Sequence, residues 1–198
     1  MADEPLNRRE LAAHATRAAL LRSARQAFAE RGYAAVGLNE IARGANATTG
    51  AIYHHFGDKQ GIFLAVAERV EAEILQHILA SAPPGAKPWD LLRFAVLETL
   101  ATGARPGVAR IIFKEAPSVF GAARWREIEM RYGFGGMHRL LQQIQAEGEL
   151  AMEDVSLIAG IILGALIQAA EAVARDERPA TLADAQDAMG RLLDAFRR

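Results

Sequence analysis

The stretch Thr49-Gly50-Ala51-Ile52-Tyr53-His54-His55-Phe56-Gly57-Asp58-Lys59 decides how this chain folds. On a period of 3.6 residues it puts Ile52 and Phe56 on one side of a short helix, and Thr49, Gly50, Tyr53 and His54 on the other. Asp58 then opens a long helix, to about Ala80, by accepting from its free N–H groups. Upstream, residues Leu38 to Gly44 form another short helix with Leu38, Ile41 and Ala42 aligned. Ala45-Asn46-Ala47 is the turn between the two. Helix, three-residue turn, helix are the proportions of a helix-turn-helix, whose second helix lies in the major groove of duplex DNA.

That geometry gives each exposed group a task. Phosphate contacts position a protein on DNA and base contacts specify the sequence. Thr48, Tyr53 and Lys59 are placed to touch the backbone, with Lys59 beside the N–H groups that open the long helix. Thr49, Gly50 and His54 are placed to reach base edges. Arg17, near the start of a helix predicted from His14 to Glu30, is a further phosphate contact. Phe56 is read as packing. His54 and His55 do not make a metal site, because adjacent helical residues diverge by about 100°.

Three separated blocks, Ala27-Phe28-Ala29-Glu30-Arg31-Gly32-Tyr33, Ile41-Ala42 and Thr49 to Lys59, together resemble the DNA-binding domain of the TetR family of bacterial transcriptional regulators. The resemblance covers about Thr16 to Val66. It implies a homodimeric repressor released from its operator by a small ligand in a C-terminal domain. Two departures stand out: Asn46 occupies a turn position where the family usually has Gly, and Val36-Gly37 replaces a Ser or Thr before the first short helix. Asn tolerates left-handed backbone, so the turn survives. Gly37 caps without a side chain, which removes one backbone contact.

The remainder reads as all-α, about nine helices in total. Further helices are predicted at Pro88 to Gly103, Pro106 to Glu115, Gly121 to Glu147, Asp154 to Arg175 and Thr181 to Phe196, with Pro117, Gly148 and Pro179 as stops. The implied organisation is a mobile tail over 1–12, a DNA-binding domain over 13–60 and a ligand-binding and dimerisation domain over 61–198. Apolar residues on nearly every side of the Asp154 helix require cover. Ile158, Ile162, Gly164 and Ala165 there, with Met189, Leu192 and Phe196 on the last helix, are the candidate dimer interface, a four-helix bundle between two copies. Phe94, Phe113, Trp125, Tyr132, Met137 and His138 are the candidate pocket, suited to an apolar or aromatic ligand. The segment Ile111 to Gly133 also resembles the ligand domain of one TetR subgroup.

Composition narrows the classes further. No cysteine is present, which removes thiolate catalysis and Cys-based metal sites. No Walker A loop, H-E-x-x-H or G-x-S-x-G occurs, so no enzyme, cofactor or metal is expected. The longest uncharged run, Val155 to Ala170, falls short of the roughly 20 residues of a bilayer span, and the acidic N-terminus is unlike a signal peptide; a cytoplasmic chain follows. The formal net charge of −1 divides unevenly: residues 1–60 hold 8 basic against 6 acidic groups, residues 61–198 hold 15 against 18. A modestly basic reading head therefore precedes an acidic body. The competing reading is a helical small-molecule carrier with no DNA role.

Overall fold

The structure, a computed structural model, describes residues 7–174 and 181–198. Residues 1–6 of the expected tail, and the expected helix end at Arg175 and stop at Pro179, lie outside them. The chain forms two compact units, one reaching Glu68 and the other starting at Arg69.

The first unit opens with α1 (Arg8–Arg31). Asn7 caps it: its side chain accepts from the N–H groups of Arg9 and Glu10 at 3.0 Å, and the Glu10 carboxylate accepts from Asn7 N–H at 2.8 Å. This reciprocal box satisfies donors that a helix start otherwise leaves open. Helix therefore begins at Arg8 and not at His14, and residues 8–12, assigned to a mobile tail from sequence, are helical. Leu20, Leu21, Ala24, Ala27 and Phe28 form its buried stripe.

Next come α2 (Leu38–Gly44), α3 (Thr49–Phe56) and α4 (Lys59–Ser81). Phe63 of α4 meets the Phe28 ring edge-on and the Tyr33 ring at a tilt, each with centroids 5.0 Å apart. Ile62, Phe63 and Val66 are fully buried, each burial contributing roughly 1.5–3 kcal/mol. Their place in this core carries the unit on to Glu68, eight residues past the boundary placed after residue 60.

The second unit contains α5 (Pro88–Gly103), α6 (Pro106–Ala109), a π-helical turn (Arg110–Glu115), α7 (Ala116–Phe120), α8 (Ala122–Glu129), α9 (Gly133–Ala146), α10 (Val155–Val173) and α11 (Leu182–Asp194). Helix α5 packs against α9, α10 and α11. Among the described residues there is no strand, only an isolated bridge between Leu150 and Arg197.

Two breaks differ from the sequence reading. Pro117 does not stop a helix: the preceding turn widens so that Ala116 N–H bonds to Ile111 O, and Pro117 enters α7 at its first turn, where a missing N–H costs little. The single helix predicted from Gly121 to Glu147 is divided at Met130 to Tyr132. The backbone doubles back so closely that a Cβ on Gly135 would lie 2.0 Å from Met130 O, so only glycine permits the corner.

Burial also revises the candidate dimer face. Ile158, Ile162, Met189 and Phe196 are 0 to 7% exposed within one chain, so they belong to its own core and cannot meet a partner. Gly164 is exposed, Ala165 and Leu192 are half-buried. The outward stripe of α10 is Leu157, Gly160, Ile161, Gly164 and Gln168. Helix α10 is long and apolar enough to cross a membrane by composition alone, but its inward face is core of this unit.

Candidate functional site

The two short helices are fixed from beneath. Ser23 Oγ of α1 donates to Ile41 O of α2 at 2.9 Å, and Gly44 leaves room for that hydroxyl, since a Cβ there would lie 2.5 Å from it. Gly37 caps α2 in extended backbone with no side-chain bond. Asn46 adopts φ 51°, the left-handed state needed to reverse the chain, and Ala47 N–H closes the turn on Ala42 O at 2.9 Å. Thr48 then starts α3, its Oγ1 accepting from Ala51 N–H at 3.2 Å. The Thr48 hydroxyl keeps its own hydrogen to donate outward.

Helix α3 is sharply two-sided. Ile52 has no exposure, whereas Tyr53 is 57% exposed, and Gly50 and His54 are also exposed, with Thr49 half-buried. An uncovered Tyr beside a polar residue and a bare glycine is a surface for contact, not for packing. Phe56, expected to pack with Ile52, is only half-buried, and the exposed Arg17 guanidinium lies 5.1 Å above its ring. That stacking holds a cation at the edge of α3.

Lys59 is more committed to its own unit than the sequence suggests. Its Nζ lies 4.5 Å over the Tyr33 ring and 3.4 Å from Ala34 O. The start of α4 is also partly filled, because Asp58 Oδ1 accepts from Gly61 N–H at 2.7 Å. Burial, with the Asp58 charge, raises the Tyr33 phenol above its ordinary pKa. His55 is held below the ordinary imidazole value by burial first, then by the charges of His54, Arg17 and His14. Arg17 over Phe56 and the neighbouring rings of His54 and His55 thus stand together where α1 meets α3. No group of three or more His, Asp or Glu suited to a metal occurs among the described residues.

Residues 20–66 match the family described as bacterial regulatory proteins, tetR family, and residues 89–196 match the tetracyclin repressor-like C-terminal domain. The chain belongs to the TetR family. The transcriptional repressor BepR of Brucella suis is 32% identical over 174 residues, 82% of this chain and 81% of that protein. The repressor AcnR of Corynebacterium efficiens is 34% identical over 76 residues, so the match spans only 36% of that relative's length. A solved TetR-family regulator from Pectobacterium atrosepticum, 32% identical, superposes with a TM-score of 0.73 over 97% of this chain and 98% of that one. With this membership the chain is a DNA-binding regulator of transcription and not an enzyme.

The C-terminal unit of this TetR-family chain forms a partly open cavity of about 170 Å³ between α4, α5, the π-helical turn, α8, α9 and α10. Of the candidate pocket residues, Phe113 and Met137 line it, and neighbouring Phe134 does too. Phe94, Trp125, Tyr132 and His138 do not. Trp125 is buried at 2% exposure and stacks on Phe120; His138 Nε2 lies 3.3 Å from Ser156 Oγ. Aromatic content marks core as readily as a binding wall, which is why four of six miss.

Two carboxylic acids in the wall escaped sequence reasoning. Glu71 of α4 is 8% exposed and Glu129 of α8 is 6% exposed, and both line the cavity. Glu127, two residues away, is exposed, as opposite helix faces require. Burial, then the neighbouring Glu129 charge, pushes Glu71 up to about 8. Burial also raises Glu129, opposed chiefly by Arg126, whose Nη1 lies 3.2 Å from its Oε2. The Trp125 side chain lowers it further, but Nε1 reaches no acceptor at hydrogen-bond distance, so this is a weak dipolar effect. A signal for Glu71 did exist: it sits within the buried stripe Ala67, Val70, Ile74, Ile78 of α4.

Proposed function

We propose that this regulator is a homodimeric, cytoplasmic repressor that leaves a pseudo-palindromic double-stranded operator when a small, largely apolar effector fills the C-terminal cavity. The polar outer face of α3 carries the DNA half of this reading. Thr49, Gly50 and His54 read base edges; Arg17, Thr48 and Tyr53 hold phosphates; Lys59 assists from over Tyr33. Two such helices about 34–36 Å apart engage successive major grooves. An effector that binds better to a different spacing lowers operator affinity by that difference.

The dimer reading moves to the outward stripe of α10. Leu157 and Ile161 are 50% and 39% exposed, and Gly160 and Gly164 beside them let another helix approach closely. An uncovered apolar stripe of this kind favours a self-complementary contact. Ile161→Glu is expected to give folded monomers in sedimentation; a dimer of unchanged stability would refute the placement. For DNA, the test is fluorescence anisotropy with duplexes from the chain's own promoter region. Binding to one duplex well above a scrambled sequence supports the reading, whereas equal or absent binding refutes it.

A further inference from the structure

The cavity wall is apolar except at one place. Glu71 has no hydrogen bond or ion pair among the described residues, although it is nine-tenths buried and faces the cavity beside Glu129. Leucine in that position would spare the fold the cost of an unpaired polar group in an apolar wall. The cost is offset only when a ligand supplies the missing partner.

The sign of that partner follows from the charges present. Glu129, with Arg126 at 3.2 Å, is the titratable group that faces Glu71 from α8. The wall residues contributed by α5, the π-helical turn, α9 and α10 carry no charge, and the hydroxyl of Thr99 is already spent on Ala95 O at 2.7 Å. An anion would meet two carboxylates in the wall, whereas Arg126, whose buried Nη1 makes no hydrogen bond, stands behind Phe134 outside the lining and faces Glu129 at ion-pair distance. A neutral molecule would leave the acid as it was. A cation gains a charge-assisted bond in a medium of low dielectric. Since Arg126 already answers Glu129, one negative charge is left to neutralise.

We propose that the cavity takes a lipophilic organic monocation, an amine on an apolar body of about ten non-hydrogen atoms, with its nitrogen held by Glu71 and flanked by Glu129. The proposal rests on reading the cavity as the effector site. Binding ionises Glu71, so below pH 8 the incoming cation expels a proton. Glu71 is a binding residue for the ligand, and Glu129 is a positioning residue that keeps the acid pair from ionising together.

The test uses the full chain and three probes of one shape: 4-phenylbutylamine, 4-phenylbutanol and 4-phenylbutanoate, titrated calorimetrically at pH 7 in two buffers of different ionisation enthalpy. The amine is expected to bind at least about tenfold more tightly than the alcohol, the carboxylate most weakly, with proton release on amine binding alone. Glu71→Gln is expected to erase the amine's advantage while the alcohol still binds, a readout that a purely structural role for Glu71 would not give. Glu129→Gln is expected to keep most of the advantage. If the alcohol or carboxylate binds as tightly as the amine, the cation assignment fails and the effector cavity stands. If no probe binds, the cavity reading fails along with it.

Discussion

The helix-turn-helix turns its polar groups outward on a short, two-sided helix, whereas the C-terminal unit turns two carboxylic acids inward against an apolar wall. The first arrangement serves a target that is always the same, a phosphate backbone with base edges between. Its chemistry is local: a cap, a left-handed turn and one face of α3 suffice. The second lines a cavity, and six segments of the chain must meet before that cavity exists. Local chemistry can be read from spacing; a cavity cannot.

The largest effect expected from a single change lies in the C-terminal unit. Burial raises Glu71 from 4.5 to about 8, so the folded chain holds a proton that the unfolded chain releases. Stability is full below pH 4.5 and falls as pH rises toward 8. Glu71→Gln abolishes that fall. In the unliganded protein it is expected to stabilise by roughly 4 kcal/mol at pH 8 and by almost nothing at pH 4.5, measured by denaturant unfolding at several pH values. A gain of equal size at both pH values would show that Glu71 ionises freely.

The contrasting experiment breaks the DNA-binding unit by crowding. A Cβ at Gly61 would fall 1.8 Å from Phe56 O, where α3 hands over to α4. Gly61→Ala is expected to cost about 3 kcal/mol or more and to abolish operator binding. Amine binding in the C-terminal cavity should survive in the same variant. Joint loss of both functions would contradict two separable units.

Smaller changes sharpen the division of labour on the DNA side. Arg17→Ala should weaken binding to every sequence about tenfold and reduce the salt slope by roughly one. His54→Ala should instead alter which sequence is preferred, by about 1–3 kcal/mol at one base pair. Competition anisotropy on a panel of single-base operator variants separates the two patterns. If both substitutions act alike on all variants, α3 reads shape and not sequence.

Much of the first unit was legible, and the reasons are physical. Asn46 takes the left-handed turn that its short polar side chain tolerates, and Gly37 caps without a side-chain bond, both as their chemistry requires. The early start of α1 also has a local signal, Asn7 followed three residues later by Glu10, a capping pattern that lies outside the apolar stripe. The second unit hid more. Helix α10 is apolar all round, so its sequence does not reveal which side meets the core, and Ile158 and Ile162 were assigned to the wrong side. Pro117 acts as a helix start here because a π-helical turn precedes it, a feature without a sequence signature. The acid pair at Glu71 and Glu129 joins residues 58 positions apart, a separation that no periodicity spans.

Whether this chain reads duplex DNA through α3 as a dimer is decided by anisotropy of its labelled promoter duplex over a series of salt concentrations. Two chains are expected per duplex, with affinity falling with salt by a slope of about 0.9 for each phosphate neutralised and Tyr53→Phe weakening binding. Binding that ignores salt, or that is unchanged when the face of α3 is altered, would contradict that mode of binding.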